Sequence, residues 1–305
     1  MTIYRTLLSA SDLIPLLSET STRAPLVLDC RASLGDAQWG AAAYLESHIQ
    51  GAQRLDLEVD LAGPPLTTPA AADPRPGGRH PLPDPERLTR RLRELGAHND
   101  QQLIVYDDRD SAFAARAWWC LRWLGHEAVA VLDGGLASFA ALAQEQLRGG
   151  EEEVATTGDF SVRPARTRTA DVDAVMAAVS AKAQAPQPQA SAPTLLDARA
   201  QARFAGEVEP IDPVAGHIDG ALCRPFTENL DSDGHFLEPP ALATAFAALP
   251  EPLICYCGSG VTATHNILAA VHAGLAEPAL YVGSWSDWIR DPDRPRGGAS
   301  SGQGG

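Results

Sequence analysis

Short apolar runs alternate with stretches of helical periodicity along most of the chain. The apolar runs have strand length and polar or glycine boundaries, and they occupy residues 26–28, 103–106, 129–132, 194–196, 253–256 and 279–282. Helical patterns lie between them at residues 85–95, 112–124, 137–147, 171–179, 239–248 and 262–273. This alternation predicts an α/β fold built from parallel sheets flanked by helices.

Three segments of the first half recur in the same order in the second half. They are LVLDCR at 26–31 with TLLDAR at 194–199, HIQGA at 48–52 with HIDGA at 217–221, and LIVYD at 103–107 with LICYC at 253–257. Matches in one order indicate a duplicated domain, and 305 residues are enough for two domains.

The repeats predict two domains with a connection between them. The expected boundaries are 1–148 for the first domain, 149–170 for an aperiodic linker, 171–296 for the second domain and 297–305 for a disordered Gly/Ser tail. The Pro/Gly-rich residues 62–84 have no counterpart in the second half, so we interpret them as a loop of the first domain. Residues 181–193, rich in Ala, Gln and Pro, are expected to form a flexible loop in the second domain.

The net charge and the cysteine positions limit which partners, cofactors and compartment we expect. A net charge of −15 argues against nucleic-acid or anionic membrane partners and means that an anionic substrate needs a local positive pocket. The chain has no signal-peptide pattern and no long apolar window. Five cysteines without zinc spacing fit neither a metal site nor a disulfide framework, so we expect no metal, no cofactor and a cytoplasmic location.

One strand-to-helix connection has the composition of a reactive site. Cys257 ends an apolar run and is followed by Gly258, Ser259, Gly260, Val261 and Thr262, after which a helical pattern begins. Glycines allow the backbone N–H groups to turn inward, and the helix N-terminus adds positive potential. Both effects lower the pKa of a thiol at this point and make Cys257 a candidate nucleophile.

A cysteine phosphatase uses a similar loop. It requires an arginine six residues after the cysteine, to bind phosphate through two hydrogen bonds, and this chain has Ala263 there. Phosphatase chemistry is therefore disfavoured. The other four cysteines, Cys30, Cys120, Cys223 and Cys255, have ordinary apolar surroundings and are expected to be structural.

Several motifs together resemble the tandem-domain rhodanese family, and within it the 3-mercaptopyruvate sulfurtransferases. They are the Cys257–Ala263 loop, the paired HIxGA segments, GGRHPLPDPE at 77–86, GEVEP at 206–210, RPFTEN at 224–229 and GSWSDW at 283–288. The resemblance implies a catalytic second rhodanese domain and a degenerate first one, in which Asp107 takes the place of the cysteine. It also implies a Cys257 persulfide that passes sulfur to thioredoxin, glutathione or cyanide.

The donor is expected to be 3-mercaptopyruvate, with thiosulfate as the alternative. Relatives specialised for thiosulfate have basic residues directly after the cysteine, whereas this chain has Gly258 and Ser259. Mercaptopyruvate leaves an enolate that needs hydrogen-bond donors and a proton, which a serine suits. By resemblance, Ser259 acts in a relay with His48 and Asp36 of the first domain.

The resemblance also assigns Arg203 to the substrate carboxylate. Some relatives have a second arginine nine residues later, where this chain has Asp212, so Arg224 and Arg109 become candidate substitutes. A hypothesis of another class is a non-catalytic persulfide carrier or partner-binding module, which would turn over small donors poorly.

Overall fold

A computed structural model describes residues 2–18, 24–154, 156–184 and 192–298. The contacts between residues divide the chain into two compact units. The first unit consists of Met1–Gly63, Leu82–Thr167 and Leu230–Leu237, and the second of Pro64–Pro81, Arg168–Asn229 and Glu238–Gly305.

In the first unit the described strands are short and alternate with helices. The strands are β1 (Leu7–Leu8), β2 (Leu26–Asp29), β3 (His48–Ile49), β4 (Gln53–Arg54), β5 (Leu103–Tyr106), β6 (Val129–Leu132) and β7 (Leu147–Arg148). The helices are α1 (Ala10–Leu17), α2 (Trp39–Glu46), α3 (Pro85–Glu94), α4 (Ala114–Trp123) and α5 (Gly135–Ala143), with a 3₁₀ turn at Gln144–Gln146.

The described part of the second unit repeats this order. Its strands are β8 (Thr169–Ala170), β9 (Thr194–Asp197), β10 (His217–Ile218), β11 (Leu222–Cys223), β12 (Leu253–Tyr256), β13 (Ala279–Tyr281) and β14 (Arg296–Gly297). Its helices are α6 (Val172–Gln184), α7 (Gln201–Ala205), α8 (Pro239–Ala247), α9 (Ala263–His272) and α10 (Ser284–Trp288), with a 3₁₀ turn at Phe226–Asn229.

Both units contain a parallel sheet of the same topology. The strand order is β1-β6-β5-β2-β4 in the first unit and β8-β13-β12-β9-β11 in the second. In each unit a small antiparallel pair, β3 with β7 or β10 with β14, lies outside the main sheet. The predicted α/β class and the six predicted strands are confirmed, while the two-residue strands carry too little pattern to be found from sequence.

The central strands are buried because helices cover their sheets. All four residues of β5 and all four of β12 are buried, which explains their uninterrupted apolar sequences. Helix α9 is also buried, from Ala263 through Ala270. The connection between β12 and α9 therefore starts and ends in rigid, packed elements.

The Pro/Gly-rich segment differs from our expectation. We interpreted residues 62–84 as a loop of the first domain, but Pro64–Pro81 groups with the second unit. The buried guanidinium of Arg290 holds the segment there by donating to the carbonyl oxygens of Thr68 at 2.7 Å and Arg75 at 2.8 Å.

The residues expected to form a linker are largely part of the two units. Gly158 and Phe160 donate backbone hydrogen bonds to Arg93 and Ala97 of the first unit. Thr169–Ala170 forms β8, an edge strand of the second sheet. The described residues of this aperiodic segment thus contact the two units, and none of them lies in a helix.

Two predicted flexible regions lie partly outside the described residues. Helix α6 extends through Gln184, into the predicted loop 181–193, and residues 185–191 are outside the described part of the chain. In the predicted tail 297–305, Gly297 pairs with His217, and residues 299–305 are outside it. Among the described helices, none has the length and apolar composition needed to cross a membrane.

Candidate active site

Cys257 lies at the carboxyl end of β12, at the start of the loop that leads into α9. The backbone N–H of Gly260 donates a hydrogen bond of 3.1 Å to the cysteine Sγ. Gly260 has φ +79°, and a Cβ there would collide with the Val282 carbonyl, so this inward turn requires glycine. The turn thus directs a backbone hydrogen-bond donor at the sulfur.

The other loop residues hold this shape. Thr262 is the residue before α9, and the carbonyl of Val261 accepts a 2.6 Å hydrogen bond from the Thr264 hydroxyl. Helix α9 thus begins at Ala263, the position at which a phosphatase would carry its arginine.

The segment around α10 fixes the backbone of the loop. The Cys257 N–H donates to Ser284 Oγ at 3.1 Å, and the Cys257 carbonyl accepts from the Trp285 N–H at 3.0 Å. The Gly258 carbonyl accepts from the Ser286 N–H at 2.9 Å. Through these bonds the GSWSDW motif at 283–288 holds the backbone of the cysteine loop.

Ser259 contacts a histidine that was not among the predicted site residues. Its Oγ lies 2.7 Å from Nδ1 of His80, and both residues are almost completely buried, at 3% and 4% exposed. Their positions are 179 residues apart in sequence. His80 reaches the loop because Pro64–Pro81 belongs to the second unit. In the sequence, His80 is marked only by the GGRHPLPDPE motif at 77–86, one of the motifs that carry the family resemblance.

His48, the histidine predicted for the relay, has a structural setting in the first unit. Its ring stacks on Tyr44 at 4.0 Å, and its Nδ1 lies 2.7 Å from the Tyr44 carbonyl oxygen. His217 does the same in the second unit, with its ring stacked on Phe204 at 3.7 Å and its Nδ1 2.7 Å from that carbonyl. We therefore correct the histidine partner of Ser259 from His48 to His80.

Asp36, the third predicted member of the relay, is exposed in the first unit. Its carboxylate accepts the Gln38 N–H at 2.9 Å in the turn that precedes α2. This contact is typical of an Asp that shapes a turn, and it gives the carboxylate a local role.

Arg203 lies beside the cysteine loop, as expected, but it is also paired with carboxylates. Its Nη2 is 2.6 Å from Glu209 and 3.2 Å from Asp212. Asp212 forms a second ion pair with Arg79. A Cβ built on Gly258 would lie 3.0 Å from Arg79 Nη2 and 3.5 Å from Arg203 Nη2, so two guanidinium groups flank the residue after the nucleophile.

The two arginines considered as substitutes are engaged elsewhere. Arg224 donates to Asn229 Oδ1 at 2.8 Å and lies over the Phe246 ring. Arg109 belongs to the first unit and donates to the backbone carbonyl of Asp233. Arg79 was not among the predicted site residues, and its guanidinium lies beside the loop at Gly258.

The remaining four cysteines are poor nucleophiles. All five cysteines of the chain are free. Burial raises the pKa of the thiols of the other four, which are Cys30, Cys120, Cys223 and Cys255. Within the described residues, no group of three or more His, Cys, Asp and Glu side chains is arranged to hold a metal ion.

The sequence matches the family model of the rhodanese-like domain twice, over residues 9–142 and 178–291. It is 50% identical over 297 residues to a probable 3-mercaptopyruvate sulfurtransferase of Pseudomonas aeruginosa. The alignment covers 95% of this chain and 96% of that protein. It is 38% identical to a putative thiosulfate sulfurtransferase of Mycobacterium tuberculosis, over 89% of this chain and 90% of the other.

The fold matches that of a solved relative. The crystal structure of the Escherichia coli 3-mercaptopyruvate sulfotransferase superposes with a TM-score of 0.73 at 32% identity, covering 93% of this chain and all of that one. The family model matches two segments of the chain, and a relative that is 50% identical aligns with 95% of it. The chain therefore belongs to the rhodanese-like family and contains two copies of the domain.

Proposed function

We propose that this protein is a sulfurtransferase that moves sulfane sulfur from 3-mercaptopyruvate through a Cys257 persulfide to a thiol or cyanide. The observation that carries the proposal is the buried hydrogen bond between Ser259 and His80, two residues along the loop from the nucleophile. Thiosulfate as donor leaves a stable anion, whereas mercaptopyruvate leaves an enolate that needs a proton. A buried serine–histidine pair is suited to the enolate, because it can supply a proton.

In the first step the Cys257 thiolate attacks the sulfur of 3-mercaptopyruvate. A bond forms between the two sulfurs, and the carbon–sulfur bond breaks. Its electrons pass to carbon 3 and delocalise onto the neighbouring ketone as an enolate. The donor's thiol proton balances the step by moving to carbon 3, which yields pyruvate and leaves the persulfide as an anion. Ser259 and His80 are the groups we assign to that proton transfer.

In the second step an acceptor thiolate attacks the outer sulfur of the persulfide. The sulfur–sulfur bond to Cys257 breaks, and its electrons return to the cysteine as a thiolate. Cyanide as acceptor would give thiocyanate by the same route. The Gly260 N–H, 3.1 Å from Sγ, stabilises the thiolate before the first step and after the second.

Thiosulfate is the second candidate donor. It is favoured by the guanidinium groups of Arg79 and Arg203 beside Gly258, which suit a dianion as well as a carboxylate. We infer in addition that the protein works in the reducing cytoplasm, since its five cysteines are all free and the mechanism needs a reduced thiol.

The test is a steady-state assay of the purified protein with each donor. We expect pyruvate release from 3-mercaptopyruvate, with kcat/KM higher than that for thiosulfate. A higher value for thiosulfate would make that compound the donor. Slow turnover of both donors, together with a stable +32 Da adduct on Cys257 in the intact mass spectrum, would indicate the persulfide carrier instead.

A further inference from the structure

His80 belongs to a segment without regular secondary structure. All residues of Pro64–Pro81 are described, and none of them lies in a helix or a strand. The His80 ring is nevertheless buried and lies 2.7 Å from Ser259 Oγ. Ordering an irregular segment costs conformational entropy, so specific contacts must hold its backbone in place. The hydrogen bonds of Pro64–Pro81 therefore show what positions His80.

Arg290 holds the middle of this segment. Besides the carbonyl oxygens of Thr68 and Arg75, its guanidinium donates to the carbonyl oxygen of Asp73. The backbone carbonyl of Arg290 accepts the Ala70 N–H at 3.0 Å. One buried residue thus binds the backbone at four points between positions 68 and 75.

Asp287 orients Arg290 and holds the next part of the segment. Its Oδ1 accepts from Arg290 Nη1 at 2.8 Å and from the Gly77 N–H at 3.3 Å. Its Oδ2 accepts from the Tyr281 hydroxyl at 2.6 Å. Both side chains of the ion pair are only 3% exposed. Since both carboxylate oxygens are bonded inside the protein, the direction of the guanidinium is fixed.

Ser286 joins the end of the segment to the cysteine loop. Its Oγ accepts the N–H of Arg79 at 3.0 Å, one residue before His80. Its own N–H donates at 2.9 Å to the carbonyl of Gly258, one residue before Ser259. A single residue therefore bonds to the neighbours of both members of the serine–histidine pair.

The first unit shows what the shared scaffold needs at the position of Ser286. There the N–H of Ala137 donates to the carbonyl of Asp108 at 3.0 Å, as the Ser286 N–H does to the carbonyl of Gly258. Ala137 has no hydroxyl, so the backbone bond supports the loop without one. The hydroxyl of Ser286 therefore has a task that only the second unit requires.

The ion pair is also specific to the second unit. Counted on from Ala137, the positions of Asp287 and Arg290 are taken by Ser138 and Ala141. A serine and an alanine cannot form an ion pair or bind four backbone groups. The fold of the first unit thus forms without the groups that hold Pro64–Pro81 in the second.

We propose that Ser286, Asp287 and Arg290 are positioning residues, which hold the His80 ring against Ser259 for the proton transfer to carbon 3. This inference rests on the proposed function, since it names what keeps the proton-transfer pair of that reaction in place. The three residues act through the backbone of the segment that carries His80. A shift of a reacting group by about 1 Å can cost about 100-fold in rate, so their effect on turnover is measurable.

Ser286→Ala is the mildest test, because Ala137 shows that the loop is supported without the hydroxyl. One hydrogen bond to the segment is lost, so kcat with 3-mercaptopyruvate should fall roughly 3- to 10-fold with KM nearly unchanged. Arg290→Met removes several bonds and should lower kcat roughly 10- to 100-fold. Arg290→Lys should lose less, since it keeps the ion pair with Asp287.

Thiosulfate is the internal control for folding of the second unit. Its turnover also needs Cys257, but sulfite leaves without a proton, so all three variants should stay within about threefold of the wild type. An equal loss with both donors would make these residues general supports of the unit and overturn the proposal. Unchanged kcat with both donors in Ser286→Ala and Arg290→Met would overturn it as well.

A double-mutant cycle tests whether Ser286 acts through His80. In the His80→Asn protein, Ser286→Ala should change kcat with 3-mercaptopyruvate by less than about twofold, because the group it positions is already gone. If the two losses instead multiplied, Ser286 would act independently of His80, against the proposal.

Arg75→Met is the matched control for Arg290→Met. Arg75 lies on the same segment, and its side chain is largely exposed and pairs with Asp73. Only its backbone carbonyl contacts Arg290, and the substitution retains that group. Turnover of both donors should therefore equal that of the wild type.

Trypsin cleavage after Arg79 measures the anchoring without any donor. In native protein followed by mass spectrometry, cleavage between Arg79 and His80 should be roughly tenfold faster in Arg290→Met than in the wild type and unchanged in Arg75→Met. Equal rates in Arg290→Met and the wild type would refute the anchoring. A wild-type protein that released no pyruvate would refute the proposed function, and the cleavage rates would still decide whether these residues hold the segment.

Discussion

Cys257 and Asp107 occupy the same place in two copies of one fold, and their loops use the inward-facing N–H groups differently. In the second unit the Gly260 N–H donates to the Cys257 sulfur at 3.1 Å. In the first unit the Asp107 carboxylate accepts three N–H groups of its own loop, from Ser111, Phe113 and Ala114, at 2.9 to 3.1 Å. The N–H groups of the first loop are therefore occupied by its own carboxyl group, whereas the second loop presents a nucleophile.

The support beneath the two loops is nearly identical. Arg31 pairs with Asp29 at 2.7 Å in the first unit, and Arg199 pairs with Asp197 at 2.7 Å in the second. In each unit the tyrosine that ends the central strand accepts a backbone N–H through its hydroxyl, at 3.3 Å from Ile49 or 3.2 Å from Ile218. The comparison shows that the scaffold is shared, and that the chemistry depends on the loop and on what packs against it.

The largest expected effect removes the nucleophile. Cys257→Ser should lower pyruvate release by more than about 1,000-fold, since a hydroxyl cannot replace the thiolate. Adding Asp107→Cys to that variant should not restore activity, because the Ser259–His80 pair belongs to the loop of the second unit. Pyruvate release by either variant, measured with 3-mercaptopyruvate, would contradict the assignment of Cys257 or the inactivity of the first loop.

The second prediction concerns what packs against the active loop. Ser259→Ala and His80→Asn should each reduce kcat with 3-mercaptopyruvate by roughly 100-fold, the usual contribution of a positioned proton donor. Thiosulfate turnover should change only a few-fold, because sulfite leaves without protonation. The measured quantity is the ratio of kcat/KM for the two donors.

His48→Asn is the control for that prediction. His48 stacks on Tyr44 within the first unit, so its substitution should lower thermal stability and leave the donor ratio unchanged. An altered donor ratio in His48→Asn, with a normal ratio in His80→Asn, would make His48 the histidine that acts with Ser259.

His48 and His80 show which parts of the site could be predicted from the sequence. The buried strands and the Cys257 loop were predictable because their signals are local, within about ten residues. The resemblance assigned the relay to His48, which belongs to the HIxGA segment found in both units. In each unit the histidine of that segment stacks on an aromatic ring of the same unit, so it serves the shared scaffold. His80 and Arg79 lie in the segment without a repeat, and only the tertiary fold brings them to Ser259 and Gly258.

The last prediction concerns stability instead of activity, and it tests the occupied first loop. Burial, reinforced by the neighbouring charge of Asp110, raises the pKa of Asp107 from 3.8 to about 7, against the opposing hydrogen bonds. Between those values the folded protein holds a proton that the unfolded chain releases. Stability from this group is therefore fully present at low pH and is lost as the pH rises through about 7, by on the order of 4 kcal/mol.

Asp107→Asn removes this titration. The variant loses acceptor capacity for three N–H groups and should be less stable overall, but the difference in unfolding free energy between it and the wild type should shrink as the pH rises from 5 to 8. Urea unfolding at four pH values in that range measures the difference. In Asp110→Asn, which retains Asp107, the fall should shift to lower pH, because a charge that raises the Asp107 pKa is gone. A constant difference between wild type and Asp107→Asn across the range would mean that the Asp107 carboxylate is already ionised at pH 5, held so by its three N–H donors.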